Sequence, residues 1–268
     1  MIIVYDILGD LMNEENLINY YNKFNEDKRL NTRHGMVEYI TTMKYIHEYL
    51  NKNDKIIEIG AGTGKYCGNL ANENYDVTAV ELVKHNLRVI EKNFKNVKSI
   101  LGNATNLKKL NDNIYDLTLL FGPMYHLISK EEKIKALSEA KRITKKGGII
   151  MVAYCMNDFA IIVHGFRDNN IIDSINNNIV DNNFKITPKD TDLYSRVTIE
   201  DINELNSIVN LERIKIISPD GPSDYMRNVL NKMDDDTFNL FIKYNLSICE
   251  RLDLIGAGSH TLDILKNN

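Results

Sequence analysis

Cysteine is scarce in this chain, and an excess of positive charge and long apolar runs are missing; each lack removes a class of function. Cys67, Cys155 and Cys249 are the only cysteines in 268 residues. They show no C-x-x-C spacing and no histidine at metal-ligand spacing. They read as reduced thiols of a cytoplasmic protein rather than a disulfide or zinc framework, so no metal site is expected. The formal net charge is -4, so no global basic field favours nucleic acid or an anionic membrane. No apolar run approaches the length of a membrane span. Met1 to Asp6 lacks the basic region and long apolar core of a signal peptide, so none is expected there. No internal repeat or low-complexity tail is visible. What remains is ordinary for a globular protein, with 43% hydrophobic and 26% charged residues. The length suits one large domain, or one domain plus a cap.

The stretch Asp54 to Tyr66, taken with Val77 to Leu82, organises the rest. Lys55-Ile56-Ile57-Glu58-Ile59 is short, apolar and β-branched, as a buried strand requires. It runs into Gly60-Ala61-Gly62-Thr63-Gly64-Lys65-Tyr66, and a helix is predicted from Tyr66 to Glu73. Glycines there let the backbone turn sharply and let a ligand approach the main chain. The helix start adds unpaired N–H groups. A second strand, Asp76 to Val80, ends in Glu81 and Leu82. An acid at that point, one βαβ unit on, suits the two hydroxyls of a ribose.

Glycine spacing decides the ligand class. The dinucleotide pattern G-x-G-x-x-G needs glycine where Lys65 stands, which disfavours NAD. Glu58-Ile59-Gly60-Ala61-Gly62-Thr63-Gly64 instead resembles the first motif of class I S-adenosylmethionine (SAM) methyltransferases. SAM has a ribose and an adenine but no phosphates, so it wants close backbone approach and an acid rather than a pyrophosphate clamp. A second motif, Phe121-Gly122-Pro123-Met124-Tyr125-His126-Leu127, ends the predicted fourth strand. It is similar to the Gly-Pro-Leu-Tyr-His-Leu sequence of one bacterial group in that family. The resemblance covers roughly residues 20 to 154.

The resemblance implies an α/β fold: a doubly wound, mostly parallel seven-stranded Rossmann-like sheet. Residues 1–50 would form an N-terminal helical lid and 51–155 the SAM-binding core. Residues 156–198 would be an inserted cap, and 199–268 the C-terminal part of the sheet with a helical insertion. Tyr21, and Arg33 for the SAM carboxylate, are expected from the lid. Glu58, Gly60, Ala61, Gly62, Thr63, Gly64 and Tyr66 are expected from the first motif, with Glu81 and Leu82 from the second strand. Gly102-Asn103-Ala104 ends strand three where the family commonly has Gly-Asp-Ala; the Asn103 amide oxygen can still accept from an adenine amino group. Phe121 and Gly122 complete the cofactor set. His126 and Tyr125 are the expected catalytic residues, His126 as general base or as an orienting group with an ordinary pKa of about 6.5.

The remaining chain is read by pattern. Helices are expected near residues 13–24 and 36–50 and from Lys130 to Ile143. Lys145 to Gly148 is a turn, and Ile149 to Tyr154 is strand five. Asn169 to Asn183 is polar and without period. Phe159, His164, Phe166 and Arg167 are candidates to line a cap. Thr198 to Asp201 is a capping-box helix start. Strand six spans Leu211 to Ser218, helices follow at Ser223 to Met233 and Asp235 to Arg251, and strand seven spans Ser259 to Lys266. The expected function is SAM-dependent methylation of an O, N, S or C nucleophile of a small molecule. The alternatives are an RNA or protein methyltransferase and a non-catalytic SAM-binding regulator.

Overall fold

A computed structural model describes residues 17–19, 30–189 and 192–268. Among them, seven strands form one sheet in the order β3-β2-β1-β4-β5-β7-β6. The strands are β1 (Lys55–Ile59), β2 (Asp76–Glu81), β3 (Lys98–Leu101), β4 (Tyr115–Leu120), β5 (Thr144–Cys155), β6 (Glu212–Ile217) and β7 (His260–Lys266). β7 alone is antiparallel, wedged between β5 and β6. The helices are α1 (Arg33–Tyr49), α2 (Lys65–Asn72), α3 (Lys84–Asn93), α4 (Pro123–His126) and α5 (Lys130–Ile143), then α6 (Asn157–Ala160), α7 (Ile171–Asn176), α8 (Ile199–Val209), α9 (Arg227–Leu230) and α10 (Asp235–Ile248). This is the expected doubly wound α/β sheet.

The central strands show why the apolar runs were needed. Alternate side chains of β1 point to opposite faces, and both faces are covered. Ile57 and Ile59 join a core with Ala136 and Leu137 of α5 and Ile202 and Leu205 of α8. Ile56 joins the other core with Tyr45 of α1, Leu70 of α2 and Ile90 of α3. Strand order reverses between β1 and β4, which opens a crevice at their carboxyl ends.

Several boundaries differ from expectation. β5 begins at Thr144, so Lys145 to Gly148 belongs to the strand. A register shift beside Tyr115 and Leu117, with Gly147 at φ +78°, absorbs the glycines. The helix expected from Ser223 to Met233 shrinks to Arg227–Leu230. Ser223 at its expected start and Asp220 in the turn before it are buried, and Asp220 is held by His260. Within 156–198, the stretch read as aperiodic contains α7, whose Ile171 packs with Ile161 and Val180. That small core has too few residues to show a period. Residues Ile161–Arg167 form a wide π-helical turn, and Met156 pairs with Val197 to close the insertion at its base. The capping box at Thr198 and Asp201 forms as its spacing predicts.

α1 is built into the body, with Val37, Tyr45 and Ile46 fully buried. The helix expected near residues 13–24, and Tyr21 with it, lies outside the described residues apart from 17–19. No described helix is long and apolar enough to cross a membrane.

Candidate active site

β1 delivers the chain at Ile59 into the glycine turn. Gly60 and Ala61 donate to the Val80 carbonyl at 2.8 and 3.2 Å, which ties the turn to β2. Gly60 sits at φ +78°, and a Cβ there would lie 2.4 Å from Pro123 Cδ and 2.6 Å from the Phe121 oxygen. The loops after β1 and β4 therefore touch, and only glycine fits between them. Gly62 also has positive φ, at +53°, but a Cβ there would meet nothing within 4 Å. Its missing side chain leaves an open cradle.

That cradle faces a cavity of about 990 Å³ over the carboxyl ends of the strands. Gly60, Ala61, Gly62 and Thr63 line it from the turn, flanked by Glu58, Lys65 and Tyr66. Glu81 and Leu82 line it after β2, and Gly102, Asn103 and Ala104 after β3. Phe121, Gly122, Tyr125 and His126 line it after β4. Gly64 lies behind the turn, where a Cβ would meet Ile90 and Phe94 at 3.1 Å. Arg33 turns away: its guanidinium pairs with Asp235 at 2.6 Å and stacks over the Phe238 ring, and it does not line the cavity. α10 supplies both partners, and nothing in the local sequence around Arg33 announces them.

Two carboxylates hold the turn. Glu81 accepts from the Gly62 and Val83 N–H groups, each at 2.8 Å. Glu58 accepts from Cys67 N at 2.8 Å, and burial pushes its carboxyl up to about 8, with Glu81 adding to the rise. Both groups have given up bulk water and would gain from a cationic or hydroxyl-bearing ligand. The Asn103 oxygen accepts from Thr105 N and Oγ1, each at 2.9 Å, which closes a local turn.

The loop after β4 is braced by the insertion. His126 Nδ1 lies 2.8 Å from the Leu193 carbonyl oxygen. A carbonyl only accepts, so Nδ1 carries the proton and Nε2 is the basic nitrogen. Burial pushes this imidazole down to about 4, well below the ordinary value expected from sequence. Ser195 N donates to the Tyr125 oxygen at 2.6 Å. Lys133, nearly buried, bridges the Leu127 carbonyl and Ser195 Oγ, and its pKa falls to about 8 through loss of solvent. No sequence signal marked Lys133. From the insertion, Phe159, His164 and Arg167 line the cavity, whereas Phe166 is 56% exposed beside Phe184.

A further polar cluster on the wall was not legible. His260 at the start of β7 meets Asp220 with both its backbone N–H and Nδ1, the latter at 2.8 Å, and Glu38 stands at 3.8 Å. Asp224, close by, pairs with Arg227 at 2.8 Å. Asp220 lies in a Pro-Asp-Gly-Pro turn forty residues before its partner, so only the sheet brings them together.

Residues 57–152 match the family described as a methyltransferase domain. A demethylmenaquinone methyltransferase of Paenarthrobacter aurescens is 35% identical over 100 residues, covering 37% of this chain and 38% of that protein. The matched stretch is thus well under half of the relative's length. Among solved structures, a SAM-dependent methyltransferase of Thermotoga maritima, described as a possible histamine N-methyltransferase, superposes with a TM-score of 0.58. Its identity is 18%, over 93% of this chain and 98% of that one. Geranyl diphosphate C-methyltransferase of Streptomyces coelicolor gives 0.59 at 13% identity, over 96% and 98%. These two likenesses are of fold.

Proposed function

We propose that this chain, which belongs to the class I SAM-dependent methyltransferases, moves the SAM methyl group to a small molecule held between the β4 loop and the 156–198 insertion. The observation that carries this reading is the Gly62 cradle, open to the cavity and bounded by Glu58 and Glu81. It fits a ligand that must lie against the main chain and present hydroxyls to Glu81, beside a Glu58 carboxyl that burial keeps protonated at neutral pH. Glu81 is the residue for the ribose hydroxyls, Glu58 sits under the turn, and Gly102 to Ala104 flank the adenine end. Lys65, beside the turn, is a cavity-lining cation suited to the methionine carboxylate; its Nζ donates to Asn31 Oδ1 at 2.8 Å, at the mouth of the α1 segment. Bound SAM supplies a methyl group on a sulfonium that already leaves readily, so the protein contributes chiefly position. Tyr125 and His126 orient the acceptor. His126 stays neutral across physiological pH and offers Nε2 as a hydrogen-bond acceptor or weak base.

The acceptor half of the cavity supports a small, flat substrate. Tyr125, Phe159, Tyr194 and Tyr225 all line it, and the curated relatives are named for methylation of demethylmenaquinone. Calorimetry with S-adenosylhomocysteine tests cofactor binding, and labelled methyl transfer into a metabolite extract tests turnover. Binding without turnover into any acceptor pool would favour the non-catalytic, regulatory reading.

A further inference from the structure

We propose that the methyl acceptor carries an oxyanion group, a carboxylate or a phosphate, and that Arg196 of the insertion is the residue that binds it. The proposal deepens the methyltransferase reading and rests on it.

The segment that carries Arg196 is fixed by its backbone. Ser195 N donates to the Tyr125 carbonyl at 2.6 Å, and Val197 N donates to the Cys155 carbonyl at 3.0 Å. Asn157 N donates in turn to the Val197 carbonyl at 3.0 Å, and Met156 pairs with Val197. Residues 194–197 thus form a short ribbon between the end of β5 and the loop after β4. Burial alternates along it, as it does along a strand. Ser195 and Val197 are buried, Ser195 against Lys133 and Val197 in the main core. Tyr194 and Arg196 line the cavity instead. The arginine is therefore anchored at the acceptor end, by bonds to the loop that carries Tyr125 and His126 and to the strand that ends in Cys155.

The other lysine and arginine side chains on the cavity wall already have acceptors. Lys65 donates to Asn31, Arg167 to Asp168 and Arg227 to Asp224. Arg196 has neither an ion pair nor a hydrogen bond among the described residues. Its guanidinium carbon stands 5.9 Å over the Tyr194 ring, a contact that leaves the N–H groups without an acceptor. A guanidinium keeps its charge at any working pH, and its planar fork matches two oxygens of a carboxylate or phosphate. Asp224 is engaged by Arg227, and Glu132 by the Ser129 cap. The partner that this arginine lacks is thus one a ligand would bring. The Tyr194 ring also lies 5.1 Å from the His126 ring. An oxyanion on Arg196 therefore leaves the rest of a small molecule along Tyr194, toward His126 and Tyr125. Lys65 stands beside the glycine turn, so the two cations address different ligands.

The test uses the full chain with S-adenosylhomocysteine bound, and three probes on one ring system. Two are ionised at neutral pH, 2-naphthoate and 2-naphthyl phosphate; the third, 2-naphthamide, is the uncharged counterpart of the first. Calorimetry at neutral pH should find at least one ionised probe binding about tenfold or more tighter than the amide, as one charge-assisted hydrogen bond implies. Tighter naphthoate assigns a carboxylate to the acceptor, and tighter naphthyl phosphate assigns a phosphate. Arg196→Met keeps the length of the side chain without its charge and should erase the preference. Arg196→Lys keeps the charge without the fork and should retain part of it. S-adenosylhomocysteine affinity should stay within about twofold in both variants, since Arg196 shares no partner with the glycine turn. Equal binding of the three probes to wild type, binding of none, or a preference that survives Arg196→Met overturns the proposal. So does a preference lost together with S-adenosylhomocysteine affinity, which would put Arg196 in the cofactor site. If Arg196→Met does not fold, Arg196→Gln takes its place with the same readings. Failure of wild type to bind S-adenosylhomocysteine would instead sink the methyltransferase reading, and the probe comparison on the ligand-free chain would still decide this one.

Discussion

Two glycines in one turn should fail in different ways when substituted. At Gly62 the backbone has φ +53° and open space where a side chain would go. Gly62→Val therefore pays only for the left-handed conformation, about 1–2 kcal/mol. For a domain of this size that lowers Tm by roughly 2–8 °C. The valine, however, projects into the cradle that the cofactor must approach. Displacing the ligand or crowding it costs about 1–3 kcal/mol, by analogy with overpacking, or roughly 5- to 150-fold in affinity. At Gly60 the same conformational cost applies, and the added Cβ would lie 2.4 Å from Pro123 Cδ and 2.6 Å from a backbone oxygen. Gly60→Ala should therefore lose about 2–5 kcal/mol of stability, a large part of a typical total. Thermal melts and S-adenosylhomocysteine calorimetry on both variants separate the effects. A folded Gly62→Val that binds with wild-type affinity would refute the reasoning, as would a Gly60→Ala no less stable than Gly62→Val.

Other substitutions probe the titratable groups. Burial lifts Glu58 from the ordinary carboxyl value of 4.5 to about 8, so the folded state holds its proton more tightly. Its stabilising contribution is full below pH 4.5 and lost as pH rises toward 8. Glu58→Gln should flatten that decline in urea melts of the ligand-free protein; an unchanged slope would show that Glu58 titrates normally. His126 runs the other way, with a folded value near 4 against 6.5. Any acid limb it imposes on turnover should fall near pH 4 rather than 6.5. His126→Gln should lower turnover about 10²-fold through a misplaced acceptor while leaving S-adenosylhomocysteine affinity unchanged. Equal loss of both would mean that His126 supports the cofactor site instead.

What could be read in the sequence was local. The β1 run and the glycine turn sit within thirteen residues, so strand, turn and helix announced themselves together. Glu81 followed from one βαβ unit. The glycine-proline turn after β4 likewise marked Tyr125 and His126. What could not be read depended on contacts between distant segments. Arg33 matches the expected lid arginine, but its partners Asp235 and Phe238 lie about two hundred residues on, beyond the reach of any local pattern. The depressed pKa of His126 arises from burial under the 192–198 segment, which no periodicity marked. The Asp220–His260 pair needs β7 to lie between β5 and β6, which brings a turn residue against a strand start. Helical signals beyond Ser223 misled, because burying Asp220 and Ser223 overrode the propensity of that segment.

The most direct measurement is transfer of a radiolabelled methyl group from SAM by the purified chain into a bacterial cell extract, with small metabolites, RNA and protein separated afterwards. Methylation of a small molecule at this cavity predicts label in the metabolite fraction, lost in Gly62→Val. Label confined to RNA or protein, or label in the metabolite fraction that persists undiminished in Gly62→Val, would contradict it.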